Sequence, residues 1–160
     1  MENHPLPRID KDDELRELLR KYCRVVPGET WADPLGLHRV GCIDSSDSAA
    51  VSSLMDGHKA VLALHDPPYN FVVFKEAATE SFIEWCKKWV NNSEENMQPD
   101  SSFYIWLGAD QNNHFAPFPE FIIMMKETGF SSKSFITMRN QRGYGTQKNW
   151  MAIRQELLFI

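Results

Sequence analysis

Long apolar runs are missing from this chain of 160 residues. None approaches the roughly 20 residues that a membrane-crossing helix needs, so no membrane association is expected. Cysteine is scarce: Cys23, Cys42 and Cys86 are an odd number with no Cys-x-x-Cys spacing. That pattern excludes a disulfide framework and fits reduced thiols in a cytoplasmic setting. The five histidines are scattered, so no metal site is expected. No apolar stretch follows Met1, and no secretory leader is expected. Glycine numbers only eight. Gly41-Cys42-Ile43-Asp44 and Gly143-Tyr144-Gly145-Thr146 are not glycine loops joining a strand to a helix of a nucleotide-binding kind. Internal repeats and low-complexity tracts are absent as well.

What remains is the composition of one ordinary globular domain, 42% hydrophobic and 24% charged. The net charge of −5 argues against a wholly basic nucleic-acid binder, but the charge is unevenly spread. Residues 128–160 hold five basic residues (Lys133, Arg139, Arg142, Lys148, Arg154) against Glu156, a net of +4. The other 127 residues hold 12 basic and 21 acidic ones, a net of −9. A basic end on an acidic body is either a local phosphate-facing surface or a solvated face.

The most informative stretch runs from Val61 to Asn70. Four apolar residues, Val61-Leu62-Ala63-Leu64, lead through His65 into Asp66-Pro67-Pro68-Tyr69. A short apolar run closed by two prolines reads as a buried strand that stops abruptly. Each proline fixes its own φ, and Pro68 pushes Pro67 towards extended geometry. Asp66 and Tyr69 are then displayed from a stiff loop at the carboxyl end of a strand, the edge where open α/β sheets bind ligands.

Around this stretch the pattern alternates. A helix is expected from Asp10 to Tyr22, with Asp10 or Asp12 as cap, and Pro27-Gly28 breaks it. Two short strands follow, the second ending at Asp44, then a helix from Ala49 to Met55 capped by Asp47 or Ser48. With the 61–66 strand this reads as strand–helix–strand, the unit of a parallel sheet. Residues 71–78 read as a loop and Glu80 to Val90 as a helix whose aromatics are core. Residues 91–101 read as a turn region, Ser102 to Gly108 as a buried strand, and 108–113 as a loop on the Asp66 edge. Phe118 to Thr128 reads as a helix ended by Gly129 at C′. Strands are expected at Ser134 to Met138 and Arg154 to Ile160, with a basic loop from Arg139 to Trp150 between them.

Asp-Pro-Pro-Tyr at a strand end resembles the catalytic motif of DNA methyltransferases that methylate exocyclic amino groups, chiefly adenine N6 and sometimes cytosine N4. Two further features resemble the same family. Cys42-Ile43-Asp44-Ser45 is similar to its strand-ending Gly-Asp-Ser/Ala signature, with Ile43 in place of glycine. The last third is similar too: a Gly129-Phe130 pair, a strand, a basic glycine-containing loop, and an Asn149-Trp150 to Arg154-Gln-Glu-Leu-Leu-Phe159 strand. The resemblance covers roughly residues 30–160.

The resemblance implies a Rossmann-like α/β fold that uses S-adenosylmethionine, incomplete here, with a mostly parallel sheet and an antiparallel last strand. Residues 1–29 would be a lead-in and helix, and 30–160 a partial catalytic domain. An amino nitrogen conjugated with a base is a poor nucleophile. Asp66 and the carbonyl of Pro67 would accept both its hydrogens and localise its lone pair for attack on the methyl group. Pro68 would complete the motif, and Tyr69 would stack on a base flipped out of double-stranded DNA. Asp44 and Ser45 would meet the cofactor, with Asp66 and Pro68 beside it. Asn70, Arg139, Arg142 and Lys148 would face DNA, the cations gripping phosphates. On the residues alone, Asp44 reads equally as a helix cap, and Gly143 and Gly145 as a hairpin turn.

The family's Phe-x-Gly-x-Gly cofactor loop and its target-recognition segment have no match in these residues. Family topology sets two strands between those at 40–44 and 61–66. Either the 40–44 strand pairs directly with 61–66, or a second subunit or self-association completes the sheet. The functions left open are one half of an adenine methyltransferase, a non-catalytic methyltransferase-like module binding nucleic acid or a partner, and an RNA- or protein-directed amide methyltransferase.

Overall fold

A computed structural model describes residues 12–22, 25–68, 79–107, 116–144 and 152–160, with side chains of 138–144 and 152–156 outside the description. The chain divides into two compact units, residues 1–44 and 45–160.

In the first unit, α1 (Asp13–Arg20) starts where Asp12 accepts the Leu15 amide at 2.8 Å, the expected cap. The two short strands are β1 (Thr30–Ala32) and β2 (Arg39–Gly41), paired antiparallel as a ribbon. Asp33 closes their turn by accepting the His38 amide at 2.6 Å and the Leu35 amide at 3.1 Å. Those backbone donors, His38 first, hold its carboxyl below the usual carboxylate range. β2 stops at Gly41, so Asp44 follows the ribbon by three residues and does not end a strand. The expected parallel unit from residue 40 to residue 66 is not found among the described pairings: β2 pairs with β1, its neighbour in sequence, and β3 with β4.

The second unit opens with α2 (Ser48–Met55), capped by Asp47 as expected, its Oδ1 taking the Ala49 and Ala50 amides at 2.9 and 3.1 Å. Asp56 (φ 49°) and Gly57 (φ 78°) take left-handed geometry and turn the chain into β3 (Ala60–His65). α3 (Thr79–Glu95) then crosses to β4 (Met97–Leu107), and β3 and β4 pair in parallel. α4 (Phe118–Met125), β5 (Ser134–Tyr144) and β6 (Ala152–Phe159) complete the unit. The strand order is β3-β4-β6-β5, with β6 antiparallel to both its neighbours.

Three boundaries depart from expectation. The turn region at 91–101 is instead the end of α3 and the start of β4. Asn92 is why the helix continues: its buried side chain donates to the Ser45 carbonyl at 2.8 Å, so a turn-favouring residue is satisfied inside a helix. α4 ends at Met125, and Gly129 is not in left-handed geometry. Its amide instead donates to Glu94 at 3.0 Å, where a side chain would clash with that carboxylate. The basic loop is shorter than expected, because β5 carries the backbone through Arg139 and Arg142 to Tyr144, which pairs with Ala152.

The core lies between α3, α4 and one face of the sheet. Phe103, Ile105, Val90 and Cys86 are fully enclosed, with Trp89, Phe82, Phe121 and Leu158 around them. Among the described residues no helix is long and apolar enough to cross a membrane. Replacing Phe103 by alanine removes a ring at the centre of this core. The substitution is expected to lower unfolding stability by about 3–5 kcal/mol, read from urea denaturation of the whole chain.

Candidate active site

The site grows from the parallel pair. β3 and β4 run side by side with His65 opposite Ile105, so both strands deliver their carboxyl ends to one edge. There β3 gives way to Asp66, which is exposed, Pro67, which is half-buried, and Pro68, which is exposed.

The prolines are seated rather than loose. They line a cleft of about 20 Å³ together with Phe82 and Cys86 of α3, Trp106 and Leu107 of β4, and Pro117, Phe118 and Phe121 at the start of α4. The two rings lie against apolar groups of α3, β4 and the start of α4. The loop is thus pinned by packing as well as by its own fixed φ, while the neighbouring carboxyl group stays in solvent. Burial pushes the Cys86 thiol in the socket up to about 12.

The residue before the motif is held as firmly. The His65 ring lies between Trp89, with centroids 5.3 Å apart, and Phe103, edge-on at 4.7 Å. Desolvation lowers its pKa from the ordinary 6.5. Sequence reasoning missed both His65 and Asn92. The available signal was that each is polar within an otherwise apolar segment.

The remaining expected residues fare differently. Asp44 is exposed and is the last residue of the first unit, whereas Asp66 belongs to the second. Ser45 opens the second unit, its carbonyl tied to Asn92 of α3. Arg139 and Arg142 stand in β5, a strand rather than the expected loop, and their side chains are outside the description. Tyr69, Asn70 and Lys148, with the loops at 71–78 and 108–113, lie outside the described residues.

A family model described as DNA methylase, of the N6/N4 type, matches residues 61–160. The chain belongs to this methylase family. Its members take their methyl group from S-adenosylmethionine. Two solved structures titled M1.HpyAVI are similar at 17% and 14% identity, each over 72% of this chain with a TM-score of 0.48. The second is titled as an M1.HpyAVI-SAM complex. A precorrin 8w decarboxylase of Methanobacterium thermoautotrophicum is similar at 10% identity over 68% of the chain and 50% of its own, with a TM-score of 0.38. The chain spans about half the length of the M1.HpyAVI structures, 51% and 48%. No curated protein matches it.

The socket makes a direct chemical prediction for the methylase. Iodoacetamide near pH 7.5 should alkylate exposed Cys42 and leave Cys86 unmodified until the chain is unfolded in urea, as read by mass spectrometry of the peptides.

Proposed function

We propose that this chain is the catalytic half of a cytoplasmic DNA methyltransferase that methylates adenine N6 in double-stranded DNA. The observation that carries this reading is the exposed Asp66 carboxyl group, held at the end of β3 by two prolines seated in an apolar socket. In this role Asp66 and the Pro67 carbonyl accept the two amino hydrogens of a flipped base. Acceptors fixed beforehand cost no reorganisation when charge develops on the nitrogen. Pro68 keeps the motif rigid and Tyr69 stacks on the base. S-adenosylmethionine, when bound, supplies an electrophilic methyl group. Asp44 and Ser45, with Asp66 and Pro68, are the residues of this chain that would hold it.

The described residues fit that cofactor only as one wall. Asp66 and Pro68 are exposed at one edge of the sheet, and the residues from 69 to 78 that follow them lie outside the described residues. The edge of β3 supports the missing part coming from elsewhere. Among the described residues β3 pairs on one side, with β4, and Val61, Leu62 and Leu64 are 61%, 51% and 69% exposed. Direct pairing with the strand near residue 40, one of the two expected repairs, is not used. We take the other: a second subunit or a second copy completes the sheet. The exposed apolar residues of β3 also fit a second reading, a methyltransferase-like module that binds DNA or a partner without catalysis.

The test is transfer of a radiolabelled methyl group to unmethylated DNA, with and without a chain carrying a Phe-x-Gly-x-Gly block. Transfer to adenine in the complemented reaction is expected, with Asp66→Ala lowering turnover about a hundredfold or more and sparing DNA affinity. Near-normal turnover by that variant would end the catalytic reading.

The basic carboxyl-terminal third is assigned the phosphate contacts. Replacing Arg139, Arg142 and Lys148 together should weaken binding to every DNA sequence alike. The salt dependence should flatten by about one slope unit for each phosphate no longer neutralised. An unchanged slope returns these residues to a solvated face.

A further inference from the structure

His65 is the last residue of β3, and its side chain is on the core face of the sheet. It is an imidazole among rings, with Trp89 at 5.3 Å on one side and Phe103 at 4.7 Å on the other. Its Nε2 lies 3.4 Å from the Ser93 hydroxyl, a long contact. That hydroxyl already donates to the Trp89 carbonyl at 2.8 Å. The Ser93 oxygen is then left to accept, which favours the tautomer that carries the proton on Nε2. Three residues from two elements thus contact the ring.

The residue that follows is Asp66. Nothing but one peptide unit separates the clasped imidazole from the carboxyl group, so the direction of the second depends on the seat of the first.

We propose that His65 is a positioning residue for Asp66: its neutral ring, clasped by Trp89 and Phe103 and donating to Ser93, fixes the end of β3 and with it the aim of the carboxyl group. The proposal rests on reading Asp66 as the acceptor of the amino hydrogens. It adds an acid sensitivity at the end of β3. α3 presents Trp89, Ser93 and, one turn before Trp89, the Cys86 thiol, which burial keeps protonated; β4 presents Phe103. Desolvation is the cause that lowers the pKa of His65. The folded chain therefore binds fewer protons at this site than the unfolded chain. The clasp is fully stable above the ordinary value of 6.5 and loses stability as pH falls through it. A protonated ring gains by leaving the aromatic seat for water, and the end of β3 is freed with it.

The experiment is nitrogen-15 NMR of the whole chain from about pH 7.5 to about pH 5, the range in which histidine titrates. The expected result has His65 protonated on Nε2 and titrating below 6.5. As it titrates, the order parameter of the Asp66 amide falls from the rigid value of about 0.85 towards about 0.6. Val90, enclosed in α3, stays rigid throughout. His65→Gln keeps a donor for Ser93 and has no charge to gain, so Asp66 should stay ordered across the range. Asp66 keeping its order while His65 protonates would overturn the proposal. So would Asp66 and Val90 loosening together, because His65 would then contribute only to global stability. If His65→Gln fails to fold, the wild-type titration decides alone. Absence of methyl transfer alongside intact coupling would refute the catalytic reading and still support the coupling.

Discussion

The second unit depends on α3 lying across the parallel pair of β3 and β4. Two parallel strands cannot be joined by a tight turn, so a crossover element must return the chain to its starting edge. α3 does this and closes the core in one step. Trp89, Val90 and Cys86 from the helix pack with Phe103 and Ile105 from the strand, all of them essentially without solvent contact. Side-chain tethers matter less than this packing. The Lys87–Glu127 ion pair, 2.7 Å long and tying α3 to the turn after α4, is exposed, and pairs of that kind contribute little.

Because both strands point the same way, the core that holds them also sets the geometry at their ends. Asp66 follows β3 on the edge where Leu107 ends β4, and the start of α4 closes the third side of the proline socket. The residues around this small cleft support the motif from beneath, so Asp66 can be held and exposed together. On the other side of the same peptide, His65 is gripped by aromatic rings. The motif thus has an anchor before it and an anchor after it, both made by α3.

The helices of the chain were legible where caps and apolar period agree, as at Asp12 for α1 and Asp47 for α2. The parallel strand at 61–66 was legible because a run of apolar residues stops at two prolines. The candidate site was legible for the same reason, since Asp66 and its prolines announce a stiff strand end. Other features need contacts that no local pattern carries. Asn92 belongs to a helix because its amide finds a carbonyl 47 residues away. Arg139 and Arg142 continue a strand because β6 is there to pair with. β2 turns back on β1 rather than joining β3, and a pairing choice between three-residue strands leaves almost no trace in sequence. His65 reads as a break in an apolar run until the rings around it are known.

One conflict between pattern and position remains instructive. Ala60 to Leu64 is a continuous apolar run, the signature of a strand covered on both faces with a partner on each side. In the described sheet β3 is instead at an edge, with Val61, Leu62 and Leu64 in solvent. Edge strands ordinarily carry charges, prolines or bulges that discourage further pairing. Between Leu62 and Leu64, β3 has none of these. The lone register shift, between Ala60 and Leu62, leaves its carboxyl half straight and open. The composition of β3 is that of an interior strand, and its free edge lies alongside the residues that lead directly into Asp66. A partner strand proposed for that edge would therefore also border the carboxyl group of Asp66.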